Sequence, residues 1–143
     1  ELLSTVYPVL RRTVFLMSFD VRPYTDDELE EMFITAPGCL SQYEMCRLAQ
    51  QYAEQGKNPV NIYRKAYEQF ALDPLAALNY ANALLKYDKD ADKALIILDT
   101  VKSDSRSVYP MAIAHSMKGD WRKAEEFLKK RHGTRGMKTP DFP

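Results

Sequence analysis

The chain has 143 residues, 45% of them apolar, with 20 basic and 20 acidic side chains and a formal net charge of zero. This length fits one domain or a short array with an appendage, and the balanced charge leaves no broad field of one sign to hold nucleic acid or an anionic membrane. Five glycines are too few for an all-β protein with many tight turns, and no apolar run reaches the length that crosses a bilayer.

The chain opens at Glu1 with no initiating methionine and no signal peptide, which leads us to expect a fragment of a longer protein. Residues 1–24 stand apart from the rest. Thr13 to Val21 (TVFLMSFDV) is rich in β-branched and aromatic residues, has no helical spacing and lies between Pro8 and Pro23. It reads as a strand. A lone strand leaves backbone donors and acceptors unpaired, so it needs Thr5 to Leu10, a second copy of the chain or a preceding domain as its partner. The second of these arrangements would be a homodimer through the N-terminal strand.

From Thr25 to about residue 132 the punctuation is helical. Thr25 with Glu28 and Ser41 with Glu44 spell two capping boxes, and Pro37-Gly38 stops the helix that the first one opens. The second opens a helix with Met45, Leu48, Ala49 and Tyr52 facing inward, ending at Gly56. Asn58 and Pro59 then supply an N-cap and a first-turn proline. The next helix carries Ile62, Tyr63, Ala66, Tyr67 and Phe70 on one stripe. Asp73-Pro74 starts another, with Leu75, Leu78, Ala81, Leu84 and Leu85 as its apolar face to about Tyr87. Ala94, Leu95, Ile97, Leu98 and Val101 mark a helix after the charged turn at Lys89-Asp90. Ser103 to Ser107 form a polar connector, Tyr109 to Lys118 a helix, and Gly119-Asp120 a turn before a last helix from Trp121 to about Lys130. Residues 133–143 form a basic, polar tail.

These helices repeat a phrase. LAQQYAEQG (from Leu48), YANALLKYD (from Tyr80) and MAIAHSMKGD (from Met111) align on Ala49, Ala81 and Ala112, about 31–32 residues apart. Such a period means stacked helical hairpins, which bind other molecules more often than they catalyse. The fold class is therefore mainly α, a solenoid of about three hairpins behind a short N-terminal β segment.

Catalytic and metal chemistry find little support. Cys39 and Cys46 are the only cysteines. Cys46 shares a face with Ala49 and Ala53 and reads as a small core residue. A disulfide to Cys39 would demand matched Cβ vectors from a loop and a helix. His115 and His132 lie on different elements without ligands at metal spacing, and His115 reads as a helix residue facing its neighbour. The acidic run Asp26, Asp27, Glu28, Glu30, Glu31 complements a helix start. No phosphate loop is present, and neither cofactor nor enzymatic activity is expected. One polar pattern stands out. Asn79, Asn82 and Lys86 fall at i, i+3 and i+7 on one face, and Arg47 and Gln50 hold matching places one repeat earlier. An ordinary solvated stripe would have the same spacing.

Gly119, Asp120, Trp121 and Ala124 in GDWRKAEEFLKK resemble the second helix of a tetratricopeptide repeat, and ALDPLAALNYANALL (from Ala71) resembles the junction and first helix of such a repeat. The resemblance covers roughly Ser41 to Arg131. The repeats are shorter than the family's usual length, and the aromatic residue early in each first helix is absent or displaced. It implies a concave groove lined by first helices, where Arg47, Gln50, Asn79, Asn82 and Lys86 would hold a peptide's carboxylates or backbone. The amino end, VYPVLRRTVFLMSFDVRPYT (from Val6), followed by a helix and repeats, resembles the C-terminal region of OmpA-like cell-envelope proteins of Bacteroidales, with residues 1–24 closing the OmpA-like domain. That implies a periplasmic or outer-membrane-associated protein, with a cytoplasmic location as the alternative. The functional expectation is a non-enzymatic protein–protein interaction module that takes a polypeptide partner. The alternative is a structural connector docked on the neighbouring domain without an exchangeable ligand.

Overall fold

The computed structural model describes residues 16–18 and 22–134, with side chains to residue 129. Among the described residues the chain is mainly helical and has no strand. The helices are α1 (Asp26–Thr35), α2 (Gln42–Glu54), α3 (Val60–Gln69), α4 (Pro74–Ala83), α5 (Ala91–Thr100), α6 (Val108–Met117) and α7 (Trp121–Thr134). Of the stretch expected as a strand, Leu16 to Ser18 carry no regular structure, and the rest lies outside the described residues. The tail beyond Thr134 also lies outside them.

Polar side chains set where these helices begin. In both capping boxes the hydroxyl accepts from the third helical N–H and the glutamate accepts from the cap's own N–H. The second bond spans 2.8 Å from Thr25 N to Glu28 and 2.7 Å from Ser41 N to Glu44. Aspartates do the same for later helices: Asp73 accepts from Leu75 N, Asp90 from Lys93 N and Asp120 from Lys123 N. At α3 the cap sits one residue later than expected. Pro59 holds the N-cap position, and Asn58 accepts from Val60 N at 2.9 Å from just outside the helix.

α4 ends earlier than its pattern predicts. After Ala83 the chain widens into one π-helical turn, Leu84–Asp88, and the Leu84 carbonyl accepts from both Lys89 and Asp90. Lys89 leaves the turn in the left-handed region at φ 57°. Leu75, expected on the apolar face, lies in the first turn of α4 and is 41% exposed, whereas Leu78, Ala81, Leu84 and Leu85 are buried. Gly119 closes α6 with φ 79°, a conformation that costs any residue with a Cβ.

Each helix packs on its neighbour in the chain, and α4 also touches α6. The core forms two clusters. One gathers Leu29, Leu40, Met45, Leu48, Ala49, Ile62 and Ala66 from α1 to α3. The other takes residues such as Leu78, Ala81, Leu84, Ala94, Leu98 and Met111 from α4 to α6, with Val60 of α3. Tyr63 on α3 packs against both and joins them. Alanines at Ala49, Ala81, Ala94, Ala112 and Ala124 are all buried, consistent with helices approaching at the close end of packing distances.

Polar ties run between the packed elements. Gln69 on α3 donates to the carbonyls of Gly38 and Leu40 before α2, and Tyr52 on α2 donates to Glu30 on α1 at 2.7 Å. Asn58, after α2, donates to Asp88 in the π turn at 2.8 Å. Lys118 at the end of α6 pairs with Asp92 at the start of α5.

Candidate functional site

The five residues of the expected groove occupy α2, α4 and the π turn that follows α4. Two are engaged within the molecule. Arg47 on α2 donates to the Tyr24 carbonyl at 2.9 Å and forms an ion pair with Asp26 at the start of α1. Its guanidinium thus anchors the segment that leads into the helices. The pair is largely exposed, so its stabilising effect is about 0–1 kcal/mol. Asn79 on α4 is half-buried, and its amide donates to Cys46 Sγ on α2 at 3.4 Å.

The other three face solvent. Gln50 and Asn82 are exposed. Lys86 is exposed with its ammonium over the Tyr87 ring, 5.0 Å from the centroid. The Asn79–Cys46 bond is a side-chain tie between α4 and α2, with Arg47 the next residue along from Cys46.

Sequence reasoning placed Cys46 in the core and did not foresee its bond to Asn79. Cys46 is half-buried, and both it and Cys39 are free thiols. Burial pushes the Cys46 thiol up, against a smaller lowering by the Asn79 bond, so it stays protonated and poorly nucleophilic. Burial likewise raises the Tyr63 phenol beside it. A sequence signal for the contact existed. Asn79 directly follows the apolar Ala76-Ala77-Leu78 run of α4, and an amide beside a buried face needs a partner.

His115 stacks on Phe127 of α7, with centroids 5.5 Å apart and planes 12° from parallel, and its Nδ1 lies 3.9 Å from Asp120. It faces its neighbouring helix, as its sequence position predicts. An open cavity of about 460 Å³ beside it is walled by Leu95, Ile96 and Met111. Among the described residues no three His, Cys, Asp or Glu side chains group as metal ligands. No described helix is long and apolar enough to cross a membrane.

Compared with known proteins, the chain matches no family model and no curated protein sequence.

Proposed function

We propose that this chain is a non-enzymatic protein–protein interaction module, a solenoid of three tetratricopeptide-like hairpins formed by α2–α3, α4–α5 and α6–α7. The observation that carries the reading is the adjacency of first helices. Asn79 ties α4 to α2 through Cys46, and α4 in turn touches α6. Consecutive first helices side by side make one continuous surface, which is how such arrays present a groove. In this reading Gln50, Asn82 and Lys86, all exposed, supply donors on it. They suit a polypeptide's carboxylates and backbone carbonyls. In this reading the module belongs to a larger cell-envelope protein, periplasmic or outer-membrane-associated, with residues 1–24 closing a preceding OmpA-like domain.

The test is selection of a random peptide library on the full chain. Peptides of micromolar affinity should emerge, and the Asn82→Ala/Lys86→Ala pair should weaken them by about tenfold or more, 1.4 kcal/mol. Failure to select any peptide, or peptides indifferent to both substitutions, would remove the groove. The second reading is a connector docked on a neighbouring domain. It is favoured by Arg47, the strongest donor of the set, which is engaged with Tyr24 and Asp26 where the helical region begins.

A further inference from the structure

Arg47 already holds a short piece of extended polypeptide. Arg22 to Tyr24 carry no regular structure, and Thr25 has φ −71° and ψ 167°. Onto this segment Arg47 directs two bonds, one to the Tyr24 carbonyl at 2.9 Å and one to the Asp26 carboxylate. A backbone carbonyl with a carboxylate close behind it is what an acidic peptide offers to a guanidinium. Arg47 also lies one turn from Gln50 on the same face of α2, and Asn79 is tied to the residue beside it, Cys46. The contact therefore sits at the α1 end of the donor stripe proposed above.

The segment is held in place without the Asp26 carboxylate. Tyr24 packs against the first core cluster. Thr25 and Glu28 complete their capping box, and Arg22 donates to Glu28 at 2.8 Å. These contacts fix the start of α1 through Arg22, Tyr24, Thr25 and Glu28, and none of them uses the side chain of Asp26. The Arg47–Asp26 pair is largely exposed, so it opens by rotation of two surface side chains and leaves the helix intact.

We infer, on the groove reading, that the stretch from Tyr24 to Asp26 is a built-in competitor for the groove, and that the partner is an acidic polypeptide whose carboxylate replaces Asp26 on Arg47. The Tyr24 carbonyl stays in place through the exchange and keeps the guanidinium oriented, so the incoming carboxylate meets a preorganised fork. Asp26 is tethered next to Arg47 and competes at high effective concentration. A largely exposed pair of this kind is closed from about half to about five-sixths of the time, which weakens a competing carboxylate about two- to sixfold.

The probe is an acidic peptide taken from the library selection on the full chain, and its binding is measured by titration calorimetry. Asp26→Asn should tighten it about two- to sixfold with helical content unchanged. Asp27→Asn removes the same charge one residue from the pair and should leave the affinity as it was. Arg47→Gln should weaken binding. Four results overturn the inference: selected peptides that carry no acidic residue, an affinity that Asp26→Asn leaves unchanged or lowers, an equal gain from Asp27→Asn, which would be a general loss of negative charge, or indifference to Arg47→Gln. Peptides that need Asn82 and Lys86 yet ignore Asp26 leave the groove standing and overturn this inference alone. Selection that yields no peptide removes both.

Discussion

Ala81 has no exposed surface and belongs to the cluster shared by α4, α5 and α6. Small residues at such positions are chosen for volume. Ala81→Trp should therefore overpack the core and cost about 1–3 kcal/mol or more. An unchanged denaturant midpoint would place Ala81 outside the contact. Glu28 shows how a surface residue can do structural work through charge. Its carboxyl is bonded first by Arg22, Nη1 to Oε2 at 2.8 Å, and then by the Thr25 N–H, and these hold it at about 2 instead of its ordinary 4.5. A depressed folded-state value means that the bonds stabilise α1 above the ordinary carboxylate range and that this contribution is lost as the pH falls through about 2. The Glu28 carboxyl should titrate in NMR with a midpoint near about 2, and Arg22→Ala should move the midpoint upward. A midpoint already at 4.5 in the unmodified chain would show that the pair does not form in solution.

At the scale of the element, starts were more legible than ends. A capping box is local, since its partners lie three residues apart and no tertiary contact is needed to complete it. Ser41→Ala should destabilise the protein by about 0.5–2 kcal/mol, read as a fall in thermal midpoint, and no change would mean that α2 is held by packing alone. Ends depend on what the chain meets next. The π turn at Leu84–Asp88 interrupts a sequence whose spacing runs on to about Tyr87, and its wider turn lets Leu84 and Leu85 both stay buried before Lys89 reverses the backbone. Gly56 and Gly119 are exceptions, ends that sequence does specify, and both take a positive φ. With φ 79° Gly119 should tolerate alanine only at a cost of about 1–2 kcal/mol.

At the scale of the whole molecule, the two core clusters meet at Tyr63. A linear stack is cooperative only as far as its neighbour contacts couple. The unmodified chain should unfold in one transition by both circular dichroism and amide exchange. Tyr63→Ala should uncouple the clusters, so that amides of α1 and α2 exchange ahead of those of α4 and α5. Exchange rates that stay matched across the variant would mean that the halves are coupled elsewhere, for instance through Asn58 and Asp88.

Helical class, the places where helices start and most of the inward stripes follow from local chemistry, because 3.6-residue spacing and capping bonds act within a few residues of each other. The buried set Met45, Leu48, Ala49, Ile62, Ala66, Leu78, Ala81, Leu98 was readable on that basis alone. Local spacing could not show how the polar residues of different helices are used. Arg47 and Asn79 share a pattern with Gln50, Asn82 and Lys86, yet only the folded chain engages the first two with Tyr24, Asp26 and Cys46 and leaves the others in water. Trp121 reads in sequence as the aromatic that opens a repeat-like second helix, whereas its 69% exposure depends on what packs beside α6 and α7. That is a question of neighbours distant in the chain, and only the tertiary structure decides it.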